Sequence, residues 1–292
     1  MADPRFSGLR LWDGSRPESA RLSEPAEELP ELLMALSEEL ARHETLRVGQ
    51  GTTRHEPLSL QWFLDLQAVR HGRQGHWMPR LLEFDRHAGE RLLSLGAGLG
   101  SDLIEYARHD AEVVAACPSA TQLALIRRNF ELHGLSGTFL HTAPTALPLE
   151  SSSIDVVNLT GLLQESPDPA RLVSEIYRVL KPGGKLLAVL PAHRDVDFWS
   201  RYLAFGETRP VPPPDEANPL LHATRRYRGA ELRQLFVRFS EPRLYQRHLR
   251  RSEVPHLYRW LPLALLERLL GRLLVFKAFK PVSSAISEQA AA

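Results

Sequence analysis

Cysteine occurs once in 292 residues, at Cys117. A single thiol excludes an internal disulfide framework and any cage of several cysteines around a metal. Lysine is nearly as scarce: Lys181, Lys185, Lys277 and Lys280 are the only ones among 36 Lys and Arg residues. We read this arginine excess as coding bias, not as a phosphate-binding surface. An excess of one sign is also missing. The formal net charge is +1, which gives no support to a strongly basic nucleic-acid binder. Nor is there a long uninterrupted apolar run. The most apolar stretch, Trp260 to Phe276, is broken by Pro262, Glu267, Arg268, Gly271 and Arg272, which argues against a bilayer span. Met1 to Asp13 carries charges and no apolar core of a secretory signal. What is present, 43% hydrophobic and 24% charged residues, is ordinary for a globular chain, and we expect a cytoplasmic one.

No repeat recurs at periods of 20 to 50 residues. Leucines at three- and four-residue spacing predict a helix over 26–43, with Pro30 in its first turn. The turn-rich patch Gly49 to Thr53 ends it, and two helices follow, Ser59 to His71 and Trp77 to Phe84. From residue 91 short apolar runs alternate with helical patterns. Strands are predicted at 91–95, 111–116, 138–142, 154–159 and 185–190, with helices at 101–108, 120–133 and 168–180. Lys181 to Gly184 (KPGG) reads as a helix stop. The alternation argues for a parallel α/β sheet covered on both faces. Beyond Pro191 the pattern is less regular. Pro210 to Pro214 is a proline-rich loop, 228–236 is helical, 241–249 strand-like, 261–270 helical, and 272–279 a final strand.

The turn Gly96 to Gly100 (GAGLG) joins a strand to a helix, an arrangement that suits a nucleotide: glycines admit close backbone approach and the helix N-terminus adds positive charge. A dinucleotide site asks for a glycine at position 101 and an acid about twenty residues on. Position 101 is serine and the next strand ends at Cys117, so the dinucleotide reading fails twice.

Leu92 to Asp102 (LLSLGAGLGSD) resembles the first motif of class I S-adenosylmethionine-dependent methyltransferases. The likeness continues through Val113 to Ser119 (VVAACPS), Ala146 to Leu149 (ALPL), Ser153 to Val157 (SIDVV), Pro167 to Ala170 (PDPA) and Glu175 to Gly184 (EIYRVLKPGG). The ordered series is similar to the type 11 group of small-molecule methyltransferases over about 88–191. The resemblance implies a doubly wound, seven-stranded, mostly parallel Rossmann-like sheet with an antiparallel last strand near 272–279. The domains expected are a loose segment 1–23, a helical cap 24–90, the methyltransferase domain 91–281 and a flexible tail 282–292.

The resemblance also implies S-adenosylmethionine as cofactor and a set of contacts. They fall on Ser94, Gly96, Ala97, Gly98, Gly100 and Asp102 in the first motif, and on Cys117, Pro118, Ser119 and Gln122 after the second strand. Ala143, Pro144 and Thr160 complete the set. Three positions depart from the family: Ser94, Cys117 and Ala143 stand where it usually has acids, and Pro144 lacks an amide hydrogen. Each lost charged hydrogen bond weakens binding by about 1.5–3 kcal/mol, so weak cofactor binding is expected.

Glu165 and His193, beyond the fourth and fifth strands, are the candidate bases; both are also ordinary loop residues. Asp155 reads as ordering a sheet end, and Trp77 as packing on the cap or covering the cofactor. The spacing of His71 and His76 matches no metal motif, and none is expected. The acceptor is a small molecule, with an apolar or lipid-like one included, because the leucine-rich segment 261–270 fits burial or a lipid surface. The leading reading is methyl transfer to a small molecule. The second is a non-catalytic binding or scaffold protein with a degenerate cofactor site.

Overall fold

The computed structural model describes residue 37 and residues 55–72, 75–196, 198–199, 225–254 and 256–282. The segments 1–23, 26–43, Gly49 to Thr53, Pro210 to Pro214 and the tail beyond residue 282, for which the sequence raised expectations, lie outside the described residues, apart from residue 37.

Helices α1 (Leu60–His71) and α2 (Met78–Leu82) precede β1 (Arg91–Leu95). The alternation continues through α3 (Ser101–Arg108), β2 (Glu112–Cys117), α4 (Ala120–Leu132), β3 (Thr138–His141), β4 (Ile154–Thr160), α5 (Pro169–Val179) and β5 (Leu180–Pro191). Helix α6 (Gly229–Leu235), β6 (Ser240–Arg247), α7 (Leu263–Leu270) and β7 (Leu273–Phe279) complete the chain. The seven strands form one sheet in the order β3-β2-β1-β4-β5-β7-β6. β1 pairs in parallel with both β2 and β4, and β4 with β5. β7 runs antiparallel between β5 and β6. The expected antiparallel last strand is therefore present.

Central strands are apolar on both sides because both faces are covered. On one face Leu93, Leu95, Val157 and Leu159 pack with Leu172 and Ile176 of α5 and Leu232 of α6. On the other, Leu92, Val113 and Val156 pack with Met78 and Leu82 of α2, Leu103 of α3 and Ile126 of α4. Trp77 is buried in this second core, and Tyr106 Oη donates to the Leu82 carbonyl at 2.6 Å. Trp62, Phe63 and Leu66 of α1 close over Leu99 and Leu125, which seats α1 on the glycine turn. Local signals set the ends: Ser59 caps α1 by accepting from the Trp62 amide, and Asp168 caps α5 ahead of Pro169.

Most boundaries shift by a residue or two, and two differ for a reason visible in the structure. Lys181 to Gly184 does end α5, yet its backbone joins β5. Leu180 pairs with Ile154, the register slips before Val156 meets Lys185, and Gly183 (φ 80°) donates to the Lys280 carbonyl at 2.8 Å. Helix α2 stops at Leu82, short of Phe84, because Glu83 turns left-handed at φ 58°. That turn sends its carboxylate to Lys185 and Lys277, both at 2.6 Å, tying the segment before β1 to β5 and β7.

Burial alone would raise the Glu83 carboxyl, but the hydrogen bonds and charges of Lys185 and Lys277 outweigh it and hold it below the usual range. Burial, with the charges of Lys185 and Arg86, meanwhile pulls Lys277 down by more than Glu83 lifts it. The two partners thus point opposite ways, as buried pairs do when desolvation and attraction nearly cancel. The contact fixes where α2 meets the sheet more than it adds net stability.

Removing one partner is another matter, since it leaves two ammonium groups without an anion. Glu83→Ala is expected to cost about 3 kcal/mol in urea unfolding at pH 7. A depressed carboxylate pKa stabilises above its unfolded value, and that contribution is lost as pH falls through the folded one. The gap between wild type and variant should therefore narrow in acid. A loss below about 1 kcal/mol at pH 7, the range of an exposed pair, would show that the contact is not structural.

Candidate cofactor cleft

The strand order reverses between β1 and β4, so their outgoing loops part and leave a crevice at the carboxyl edge of the sheet. The first wall is the glycine turn, with positive φ at Gly96 (81°), Gly98 (56°) and Gly100 (88°). A Cβ on Gly96 would lie 2.0 Å from the Thr160 carbonyl oxygen, so the turn presses directly on the end of β4. No side chain caps the N-terminus of α3, which begins immediately after Gly100.

Helix α4 pins that turn. Cys117 Sγ donates to Gln122 Oε1 at 2.9 Å, and Gln122 Nε2 donates to the Gly98 carbonyl at 3.0 Å. Ser119 Oγ accepts from the Gln122 amide at 3.2 Å, and Asn129 Nδ2 donates to the Leu99 carbonyl at 2.9 Å. The end of β3 is drawn to the same corner: the Thr142 amide donates to the Cys117 carbonyl at 3.1 Å, with Ala143 and Pro144 next. His141 Nε2 lies 3.0 Å from the Pro118 carbonyl.

The far wall follows β4. Thr160 Oγ1 donates to Asn158 at 3.1 Å, and Gly161 (φ 77°) turns the chain toward Glu165. Glu165 is an exposed residue of the loop after β4, yet protein crowds its carboxyl and withholds full hydration. Burial therefore pushes its carboxyl up to about 7. Burial first, and then the charge of Glu165, push the Cys117 thiol up to about 11 against a hydrogen bond from the Ser119 amide. Glu165 and Cys117 are thus close enough for the charge of one to act on the other. At the end of β5, His193 Nε2 lies 3.5 Å from an Arg228 nitrogen, its ring centroid lies 5.5 Å from that of Phe198, and its Nδ1 is buried without a partner.

Three residues expected at the cofactor have side-chain partners within the protein. The Asp102 carboxylate, 8% exposed, belongs to α1: Arg70 donates at 2.7 and 2.5 Å, and His71 Nε2 lies 2.9 Å away. Burial would raise it, but the Arg70 guanidinium outweighs that and holds it far below the usual carboxylate range. The Ser119 hydroxyl serves as the α4 cap, and the Gln122 amide is the pin. Ser94, on β1 between β2 and β4, has its Oγ buried with no hydrogen-bond partner among the described residues. Sequence reasoning missed Arg70 and Asn129, since their partners lie 32 and 30 residues away. The Asp155 carboxylate binds the Arg91 amide and Lys181, ordering the sheet end.

Residues 93–188 match the family model described as a methyltransferase domain. A methyltransferase domain therefore occupies residues 93–188. The chain is 38% identical over 104 residues to a demethylmenaquinone methyltransferase of Clavibacter sepedonicus, covering 34% of this chain and 40% of that protein. It is 32% identical over 116 residues to a protein of the same name from Thermus thermophilus, covering 39% of this chain and 53% of that one. The chain thus spans about half the length of these relatives, or less. Among solved structures, the [4+2]-cyclase SpnF superposes with a TM-score of 0.53 at 18% identity, over 86% of this chain and 95% of that one. That likeness is one of fold, and a cyclase on the same fold shows that the architecture alone does not name the reaction.

A neutral, locked thiol in the methyltransferase cleft has a direct consequence. Cys117 should resist an aryl disulfide reagent at pH 8, because the thiolate is the reactive form and is scarce there. Gln122→Ala should speed labelling at least about tenfold by releasing both the thiol and the turn. Stoichiometric labelling of the native wild type within seconds would contradict the locked arrangement.

Proposed function

We propose that this protein transfers a methyl group from S-adenosylmethionine to a small apolar acceptor, with Glu165 as the base. The reading is carried by one observation: a carboxyl with a pKa near 7 stands in the loop after β4, near Cys117, in a methyltransferase domain. A base tuned close to the working pH is what proton removal from a hydroxyl or acidic ring requires.

The residues present fit the cofactor. Unbranched backbone at Gly96, Gly98 and Gly100, the uncapped start of α3 and the unpartnered Ser94 hydroxyl would hold its charged amino-acid end. Cys117, Pro118, Ala143, Pro144 and Thr160 would flank the nucleoside with a mostly apolar wall. When bound, S-adenosylmethionine supplies an electrophilic methyl group. Glu165 accepts the acceptor's proton at its carboxylate oxygen as the new bond to the methyl carbon forms, and His193 lines the acceptor side. Positioning and exclusion of water do the remainder. The non-catalytic binding reading is not favoured, because the matching relatives are named as methyltransferases. The lone buried cysteine suits a reducing compartment, and we take the cytoplasm as the place of action.

The names of those relatives make demethylmenaquinone, reduced to its quinol, the first acceptor to supply with methyl-labelled cofactor. Since a base works only when ionised, kcat/KM should rise with pH through about 7. Glu165→Gln should lose that step and at least about a hundredfold of rate. Its affinity for S-adenosylhomocysteine should stay within about threefold of wild type, under 1 kcal/mol. Loss of that affinity, with an unchanged pH profile of the remaining activity, would assign Glu165 to the cofactor and refute its role as base.

A further inference from the structure

We infer that the segment leading into and including α7 is a docking face for an anionic bilayer surface. No helix among the described residues is long and apolar enough to cross a membrane. A surface contact needs less: an apolar face in the interface with cations beside it. α7 divides its residues accordingly. Leu266 is buried, with Leu263 and Leu270 packed beside it on Val196, Leu249 and Val254. The opposite side presents Ala264, Leu265, Arg268 and Leu269 to solvent. Leu265 is 49% exposed and Leu269 60%, and Trp260, just before the helix, is 79% exposed. A tryptophan exposed to this degree is costly in water and suited to the headgroup level of a membrane.

Charge selects the occupant. Among the described residues, Arg251, Arg259 and Arg268 pair with no carboxylate. Arg251 donates to the carbonyls of Arg259 and Leu261, and Arg259 to those of Val254 and Ser252. The acids of the segment are turned inward: Glu267 accepts from the His248 amide and Glu253 pairs with Arg272. Among the described residues the outward side is therefore apolar and cationic with no opposing anion, which complements lipid phosphates.

Placement agrees. Leu273, which opens β7, pairs with Pro191 at the end of β5 and Arg247 at the end of β6. The face thus lies on the carboxyl edge of the sheet, the edge that carries the glycine turn and Glu165. Docking there would bring the crevice to the surface from which an apolar molecule leaves a membrane. The inference rests on surface chemistry and stands whether or not the chain transfers methyl groups.

The test is flotation of the full chain with vesicles of phosphatidylglycerol and phosphatidylcholine, and with phosphatidylcholine alone. Wild type should float with the anionic vesicles, and 0.5 M salt should weaken binding several-fold. Leu265→Glu with Leu269→Glu should reduce binding at least about tenfold at an unchanged circular dichroism spectrum. Arg268→Glu, which touches no internal partner, should also weaken it and covers the case in which the double variant misfolds. Equal flotation with neutral vesicles, or none with anionic ones, would overturn the proposal. So would a concentration-dependent dimer in ultracentrifugation that the same substitutions dissolve, since the face would then bind a second copy.

Discussion

The approach of Gly96 to Thr160 is the constraint on which the rest depends. The two backbones come so close that a methyl group at position 96 would sit 2.0 Å from a carbonyl oxygen. Only glycine tolerates both this contact and a φ of 81°. Because the β1 loop must pass here before turning into α3, the crevice opens where the strand order reverses, and the ends of β2 and β3 close its other side. Asn129 and Gln122 then hold the turn by its own carbonyls, so α4 carries part of the shape that the glycines permit.

Burial acts in opposite ways on the acids around this turn, and the difference lies in their partners. Asp102 is enclosed with Arg70 and stays ionised, linking α1 to the helix that follows the glycines. Among the described residues no cation pairs with Glu165, and the same loss of water raises its pKa toward 7. One carboxylate has a structural role and the other is free to exchange a proton, although neither the residue type nor the position along the chain announces which is which. An acid at position 117, where the family usually has one, would stand against Glu165. The hydrogen-bonded thiol of Cys117 avoids that repulsion.

Much of the sheet was legible because parallel strands are short, apolar and separated by amphipathic helices, and because Pro169 and the glycine turn mark their boundaries. The apolar run at 273–276 marked the last strand, and the resemblance to the methyltransferase family implied its antiparallel direction. Less legible were features decided by distant partners. Glu83 leaves the helical region to meet Lys185 and Lys277, 102 and 194 residues away, and Lys181 to Gly184 joins β5 because Lys280 receives its backbone. In the crevice, motif position alone suggested Asp102, Ser119 and Gln122 as ligand contacts. Local residue identity carries no record of Arg70 or of the Gly98 carbonyl, which occupy two of those side chains. Glu165 was legible as a loop acid after a strand, while its altered pKa arises from walls that only folding assembles.

The central claim is that the glycine turn binds the cofactor through its backbone despite the missing acids at positions 94, 117 and 143. Calorimetric titration of the intact chain with S-adenosylhomocysteine tests it most directly. One saturable site per chain with a dissociation constant of about 100 μM, near −5.5 kcal/mol, is predicted. No saturable heat up to about 1 mM, a binding free energy weaker than about −4 kcal/mol, would contradict it.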